Sequence, residues 1–378
     1  MKAMSCATDK LQNMVPYSGW ESFQNPLLKS EESEYLSPEH IEQLRNESAI
    51  VEWEELGTEI IEGVGELRRM GIVTEKGYTY STLVGIPEKQ LSTVPIIGTS
   101  AWFTSTEGHN EHTVRNMLRA GNIVMFVGAE GSFEPRNKPT PHGAITLADS
   151  AAAVLNFSYH LGMELQDEGI TIDDEKRIVI GESRGAMVGM GITALASEFG
   201  QEVILSDLTA PCLPRAMRLK DIKELAGQLR EEPKELFKLA GRLTLARLVH
   251  YPSTLDLSPY SLRHQLAIGF ALFSGEAGAL ARKISPEALM HITVFNKDFA
   301  SMEHEWKTIF ADHPNVRITP LSGSHLTLAD PETLQFILSR NKAAQLNLVR
   351  GDPFTQSNVF DAAHLFSRKD TTSLKLVA

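Results

Sequence analysis

The stretch RIVIGESRGAMVGMG, residues 177–191, joins a short apolar run to a helix of small residues through a turn that contains two glycines. That turn, Gly181-Glu-Ser-Arg-Gly185, matches the pattern G-x-S-x-G, with the predicted strand before it and the predicted helix after it. On such a sharp turn the hydroxyl of Ser183 stands above the strand ends, where the helix N-terminus directs its N–H groups and its positive dipole end. The stretch therefore predicts that Ser183 is a nucleophile; the alternative is a tight packing turn with an inert serine.

Strands and helices alternate over most of the remaining chain. Apolar or alternating runs predict strands at residues 77–87, 94–98, 122–128, 202–207, 291–295 and 315–321. Helical patterns lie between them, at residues 113–120, 144–163, 185–199 and 303–310. Such alternation predicts a parallel sheet with helices on both faces, and continuous apolar runs are typical of strands buried on both sides. The predicted fold class is α/β, with a mostly parallel, doubly wound sheet.

The first 70 residues are predicted to form an N-terminal helical extension. Ser37 is suited to be the N-cap of a helix that has Pro38 at its first position. Apolar residues from Val51 to Leu67 then follow an imperfect helical spacing. The extension, residues 1–70, is expected to pack on the main domain.

Three further segments complete the predicted organisation. Residues 71–207 and 290–346 hold the alternating strands and helices of the core. Residues 208–289 are almost entirely helical in pattern, which predicts a helical insertion into that core. Residues 347–378 are polar and contain Gly, Pro and Ser, which predicts a C-terminal tail.

Composition and charge exclude several classes of protein. The chain has 378 residues, of which 42% are apolar and 22% charged, as in an ordinary globular protein. A formal charge of −12 disfavours nucleic acid or an anionic membrane as the main partner. No window approaches the apolar length that spans a bilayer, and the first residues lack a secretory pattern. With only Cys6 and Cys212, no disulfide framework is indicated, so we expect a cytoplasmic protein.

A serine hydroxyl needs a base, and the base needs an acid that orients it. His325 follows the last predicted strand and a short Ser-Gly-Ser loop, at the sheet edge where open α/β folds place their sites. Asp298 lies at the carboxyl end of the preceding strand and is the candidate acid. Asp207, which ends an earlier strand, is the second choice, and Glu303 is weaker because it falls within a predicted helix.

The order Ser183, Asp298, His325, with the glycine-flanked turn and the helical insertion, resembles the α/β-hydrolase superfamily over residues 71–346. The resemblance implies that the insertion, residues 208–289, is a cap over the site. Its apolar helices would then line a pocket for a hydrophobic acyl group. The alternative is an auxiliary helical layer without a role in substrate binding.

The resemblance also implies an oxyanion hole. One donor would be the N–H of the residue after the serine, Arg184, and the second would come from the loop after the strand PIIG. Ala101 is the candidate for that second donor, with Trp102 as its neighbour. This chain departs from the family here, because Thr99-Ser100 stands where a His-Gly pair is usual.

Other motifs do not indicate a cofactor or a metal. His109 and His112 do not match H-E-x-x-H, and no further ligands cluster near them in the sequence. The glycines of residues 128–131 lack the G-x-G-x-x-G spacing of a dinucleotide site. Cys212 carries no signature of a paired base, which disfavours it as a nucleophile.

The sequence as a whole predicts a carboxylesterase- or lipase-like serine hydrolase (EC 3.1.1) that forms an acyl-enzyme. Its partner is expected to be a small-molecule acyl substrate with a hydrophobic part, with no nucleic acid and no membrane span; a homo-oligomer is left open. A peptidase or an acyltransferase on the same three residues is a variant of this interpretation. The alternative from another class is a non-catalytic binding or scaffold protein that keeps the fold.

Overall fold

The computed structural model describes residues 35–100, 109–130, 146–216, 274–296, 298, 301–322, 344, 346–348, 350–351 and 355. Within these residues nine strands form one sheet. They are β1 (Ile50–Ile61), β2 (Gly65–Thr74), β3 (Thr79–Pro87), β4 (Ser92–Thr99), β5 (Asn122–Glu130), β6 (Lys176–Glu182), β7 (Glu202–Thr209), β8 (Met290–Phe295) and β9 (Val316–Leu321). The spatial order is β1-β2-β3-β5-β4-β6-β7-β8-β9.

The sheet is mostly parallel, as the sequence predicts. The strands from β5 through β4, β6, β7 and β8 to β9 pair in parallel, whereas β1, β2 and β3 pair antiparallel with their neighbours. Parallel strands need crossover connections, and the helices described next supply them. The antiparallel strands extend one edge of the sheet.

Helices cover both faces of the sheet. They are α1 (Pro38–Glu47), α2 (His109–Arg119), α3 (Leu147–Asp167), α4 (Arg184–Leu195), α5 (Glu276–Ala281) and α6 (Glu303–Ile309), and a short 3₁₀ turn (Ala196–Phe199) follows α4. One core cluster joins α3, α4 and α5 to the sheet through residues such as Leu155, Met187 and Leu280. A second cluster joins α2 to the other face through Val114 and Met117. The α/β, doubly wound prediction is therefore confirmed.

The N-terminal prediction is correct for one helix and wrong for the segment after it. Ser37 caps α1 by accepting a hydrogen bond from the His40 N–H at 3.3 Å, as predicted. The segment from Val51 to Leu67 is not a helix, because β1 and β2 form an antiparallel hairpin there. A tight turn, in which the Val64 N–H donates to the Ile61 carbonyl at 2.9 Å, connects the two strands.

The local sequence explains why a hairpin forms instead of a helix. Gly63 and Gly65 adopt φ angles of 68° and 147°, which residues with a Cβ atom rarely adopt, so a helix cannot continue through this point. The flanking β-branched and aromatic residues favour strands. β1 is an edge strand, and its apolar side chains Trp53 and Ile60 are exposed. Their spacing therefore does not mark a buried helical face. The predicted domain boundary after residue 70 consequently falls inside β2.

The predicted insertion has narrower limits than residues 208–289. Residues 208–209 end β7, and α5 packs in the core with α3 and α4, so both ends of the predicted segment belong to the core. Ala216 and Ser274, the described residues on either side of residues 217–273, form an antiparallel bridge. Residues 217–273 lie outside the described residues, and their role as a cap stays a prediction.

Two further observations concern the ends of the fold. Residues 344, 346–348 and 350 are helical, so the predicted start of the tail at residue 347 falls among helical residues. Among the described helices, none has the length and apolar character that a membrane crossing requires.

A buried carboxylate, Glu276, joins three separate parts of the chain. The Tyr35 hydroxyl donates to its Oε1 at 2.7 Å, and the N–H groups of Leu147 and Ala148, at the start of α3, donate to it at 2.8 and 3.0 Å. The carboxylate thus accepts from helix N–H groups that have no partner inside the helix. Burial nevertheless raises the pKa of Glu276 above its usual value of 4.5, while the hydrogen bonds from Leu147, Tyr35 and Ala148 act in the opposite direction.

This raised pKa predicts a pH-dependent difference between the wild type and Glu276→Gln. A carboxyl whose pKa is higher in the folded state than in the unfolded state contributes stability below the unfolded pKa, and that contribution is lost as pH rises through the folded pKa. The free energy of unfolding of the wild type, minus that of Glu276→Gln, should therefore fall as the pH rises above the unfolded pKa of about 4.3. Urea unfolding of both proteins in the same buffers measures this difference, because other titrating groups cancel. A difference that grows with pH would contradict it.

Candidate active site

Ser183 has a strained backbone at the turn between β6 and α4. Its φ of 55° and ψ of −117° lie in a region that residues with a side chain rarely adopt. Such a conformation costs on the order of 1–3 kcal/mol, and it persists only where the surroundings impose it. Here the Ser183 N–H donates to the Thr209 carbonyl at the end of β7, at 2.8 Å, and its own carbonyl accepts from the Met187 N–H at 3.3 Å.

The two glycines of the turn are required by close backbone contacts. A Cβ atom on Gly181 would lie 2.4 Å from the Gly185 carbonyl oxygen. A Cβ atom on Gly185 would lie 2.1 Å from the Thr99 carbonyl oxygen and 2.8 Å from that of Ser100. The Thr99 hydroxyl also donates to the Gly185 carbonyl at 2.7 Å. The backbone of the turn therefore packs directly against the end of β4.

Of the two predicted oxyanion donors, Arg184 lies within the described residues. Arg184 begins α4, so its N–H belongs to the first turn of a helix that starts at the serine. Ala101 and Trp102 lie outside the described residues. Ser100, the residue before Ala101, is buried and donates its N–H to the Val127 carbonyl at 3.1 Å. The loop that contains Ala101 thus starts beside the turn.

Asp298 and Ser183 both follow the carboxyl ends of parallel strands, β8 and β6. Asp298 is buried and turns the chain by donating its N–H to the Phe295 carbonyl at 3.0 Å. Both residues influence the pKa of Cys212: the charge of Asp298 raises it, and a hydrogen bond with the Ser183 side chain lowers it. His325 lies outside the described residues. Ser183 and Asp298 therefore lie at the same edge of the sheet, and their meeting with His325 stays a prediction.

The two other candidate acids have different partners. Asp207 is buried two residues before the end of β7, and its Oδ1 lies 3.6 Å from Nδ1 of His291. The Nε2 of His291 lies 2.8 Å from the Thr319 hydroxyl, so this pair belongs to a buried polar layer within the sheet. Glu303 begins α6 and pairs with Lys307 at 2.5 Å. Asp207 and Glu303 thus have described ionisable partners within the sheet and within α6, respectively.

A small cavity adjoins the turn on the face of the sheet that α2 covers. Among its lining residues are Thr99, Thr113, Glu182, Asp207 and Thr209. This polar layer was not predicted from the sequence, although one signal was present: an aspartate and a histidine inside otherwise apolar strands. Polar groups buried in this way require partners, and the Thr319 hydroxyl supplies one to Nε2 of His291.

Cys212 is held in the turn that leaves β7. Ala210 adopts a φ of 49° and donates its N–H to the Thr293 carbonyl at 2.7 Å, which directs the next residues over the sheet edge. Burial, and then the charge of Asp298, raise the pKa of Cys212 to about 12, whereas the hydrogen bond with Ser183 acts in the opposite direction. The thiol is therefore protonated near neutral pH, which disfavours it as a nucleophile.

The contacts of Gly185 predict that Gly185→Ala destabilises the protein. The new methyl group would collide with backbone atoms of residues 99 and 100, which cannot move as a side chain can, so we expect a loss of roughly 1–3 kcal/mol or more. Gly162→Ala is the matched control, since Gly162 lies within α3 and a Cβ atom added there would meet no neighbouring group within 4 Å. That control should gain about 0.5–1 kcal/mol, as glycine is unfavourable inside a helix. Equal thermal unfolding midpoints for the two variants would contradict this close packing of Gly185 against residues 99 and 100.

The environment of Cys212 predicts that its thiol is unreactive in the folded protein. In a Cys6→Ser background, Ellman's reagent at neutral pH should label Cys212 only slowly, because the thiol is buried and protonated. Unfolding in guanidinium chloride should expose the same thiol and give rapid, stoichiometric labelling. Rapid labelling of the folded protein would show that Cys212 is open to solvent or ionised.

No protein-family model and no curated protein matches this chain. Solved structures are similar to it at low sequence identity. DcsB, in complex with its substrate analogue, has a TM-score of 0.50 and 13% identity, and the match covers 76% of this chain and 99% of DcsB. For a fungal esterase from Rhizomucor miehei the TM-score is 0.49 and the identity 16%, over 89% of this chain and 98% of that one. For acetyl xylan esterase 1 from Thermoanaerobacterium sp. JW/SL YS485 these values are 0.48, 13%, 79% and 92%.

The sheet order supports the assignment of the fold. A mostly parallel sheet carries a serine on a strained turn between a central strand, β6, and the helix α4 that follows it. Asp298 then follows the strand two positions further along the sheet, β8. The chain has the α/β-hydrolase fold.

Proposed function

We propose that this chain is a serine hydrolase that cleaves an ester through an acyl-enzyme on Ser183. The observation that carries the proposal is the backbone of Ser183, held at a φ of 55° and a ψ of −117° between β6 and α4. A serine with only a structural role in packing would not require a strained backbone. Such strain is concentrated at functional sites. The turn also lies at the carboxyl end of the parallel strands, where open α/β sheets bind ligands.

In the proposed first half-reaction, Ser183 Oγ attacks the carbonyl carbon while His325 takes the serine proton. Asp298 orients the imidazole and stabilises its charged form. The N–H groups of Arg184 and Ala101 donate to the oxyanion of the tetrahedral intermediate. The intermediate then collapses, and His325 gives the proton to the departing alcohol, which leaves the acyl group on Ser183.

In the second half-reaction, a water molecule replaces the alcohol. His325 takes a proton from the water as its oxygen attacks the acyl carbon, and the same donors stabilise the second oxyanion. Collapse of this intermediate breaks the bond to Ser183 Oγ, which recovers its proton from His325. The acid is released, and the enzyme returns to its starting state.

The described residues support this assignment in three ways. Ser183 and Asp298 follow the carboxyl ends of two parallel strands, β6 and β8, and both influence the pKa of Cys212. Arg184 opens the helix that follows the serine, so its N–H lies in the first helical turn, whose N–H groups point out of the helix end. The chain enters and leaves residues 217–273 at the Ala216–Ser274 bridge, which follows Cys212 by four residues. An inserted cap at this place would be close to the serine, and its apolar sequence favours a substrate with a hydrophobic acyl or alcohol part.

A fluorophosphonate probe and p-nitrophenyl esters test the proposal together. The wild type should be labelled and should hydrolyse the esters, and Ser183→Ala should lose labelling and roughly 10⁴-fold or more of its kcat/KM. His325→Ala and Asp298→Asn should also lose most activity while keeping the wild-type unfolding midpoint. Ser206→Ala is the matched control, since Ser206 is a buried serine on the neighbouring strand β7 and should keep full activity.

The ester series also distinguishes the alternatives. Rates that rise from acetyl to longer acyl groups fit a hydrophobic pocket, whereas a strict preference for acetyl would contradict it. A folded wild type that neither reacts with the probe nor hydrolyses even the acetyl ester would overturn the proposal in favour of a binding or scaffold protein. Adding an alcohol or a peptide as competing substrate separates an acyltransferase or a peptidase from an esterase.

A further inference from the structure

The side chain of Arg184, directly after the nucleophile, is buried and anchored to a second helix. Only 4% of the residue is exposed, and its Nη2 donates to the hydroxyl of Ser150 at 2.8 Å. Ser150 lies in the first turn of α3 and is 1% exposed. Burying a guanidinium is costly unless its N–H groups are hydrogen-bonded. Loss of the hydrogen bond to Ser150 should therefore carry a large energetic penalty.

The first turn of α3 is itself fixed by several hydrogen bonds. Thr146 and Asp149 form a capping box, in which each side chain accepts from the other residue's N–H at 2.9 and 3.0 Å. Glu276 accepts from Leu147 and Ala148, the first two residues of the helix. The hydroxyl of Ser150 is therefore presented from a rigid turn.

Helices α3 and α4 are also closely packed against each other at Gly191. A Cβ atom on Gly191 of α4 would lie only 2.8 Å from the Cβ of Ala151 in α3. The Ser150–Arg184 hydrogen bond thus connects two elements whose relative position is fixed by contact. This hydrogen bond therefore acts mainly on the position of Arg184, the first residue of α4.

We infer that Ser150 is a positioning residue, which holds Arg184 so that the peptide between Ser183 and Arg184 keeps its N–H directed at the oxyanion. The strained backbone of Ser183 would be relieved by rotation of this peptide, and the anchored Arg184 side chain opposes that rotation. The inference rests on the proposed function and adds to it a residue from α3, outside the turn and its predicted partners. Ser150 acts through Arg184 and does not itself contact the substrate.

Ser150→Ala tests the inference, with Ser158→Ala as the matched control. Ser158 lies two turns further along α3, is also fully buried, and its hydroxyl contacts Gln201 Oε1 at 2.9 Å, away from Arg184. Both variants lose one buried hydroxyl from the same helix. Ser150→Ala should lower kcat by about 10- to 100-fold with little change in KM, because the oxyanion develops after substrate binding. Ser158→Ala should keep the wild-type kcat.

A second readout separates positioning from a merely structural role. The affinity for a trifluoromethyl ketone, which forms a tetrahedral adduct with an oxyanion, should fall in Ser150→Ala by the same factor as kcat. Ser150→Thr, which keeps the hydroxyl, should recover most of both losses. Thermal unfolding of each variant checks that the folded protein is being assayed.

The outcomes distinguish this inference from the proposed function. If the wild type hydrolyses esters and Ser150→Ala matches Ser158→Ala in kcat and in ketone affinity, the inference is overturned and the proposed function stands. If Ser150→Ala lowers only the unfolding midpoint, Ser150 is structural and the inference is equally overturned. If the wild type itself neither hydrolyses esters nor binds the ketone, the proposed function fails, and this inference fails with it.

Discussion

The strained backbone of Ser183 is the constraint on which the rest of the site depends. Its conformation is maintained because the Ser183 N–H bonds to the end of β7 while Gly185 is pressed against the end of β4. Three neighbouring strands therefore determine where one hydroxyl lies. Because each of these contacts involves backbone atoms, the geometry depends on correct pairing of the whole central sheet more than on any single side chain.

Buried polar groups extend this constraint away from the turn. Glu276 fixes the start of α3, and Ser150, in the same helical turn, holds Arg184 beside the nucleophile. On the other face of the sheet, Asp207 and His291 form a separate polar layer. Each group needs its partners because an unpaired polar atom in the interior is costly. The polar residues of this core are thus placed where they can support the elements that carry the site.

The sequence was sufficient for the features that depend on local pattern. The turn at Ser183 was predictable because an apolar run, two glycines and small helical residues are adjacent in the chain, and the place of Asp298 because it follows a buried strand. The β1–β2 hairpin was missed, since the spacing from Val51 to Leu67 partly fits a helix and only the glycine turn decides against it. The contact of Arg184 with Ser150 could not be predicted, because it joins residues 34 positions apart through tertiary packing.

The central claim is that Ser183, His325 and Asp298 meet at one edge of the sheet. A crystal structure of the protein after reaction with a phosphonate ester tests it most directly. We predict continuous density from Ser183 Oγ to phosphorus, with the His325 ring within about 2.6–3.2 Å of both that oxygen and the Asp298 carboxylate. An unmodified Ser183, or a His325 ring on another face of the molecule, would contradict the account.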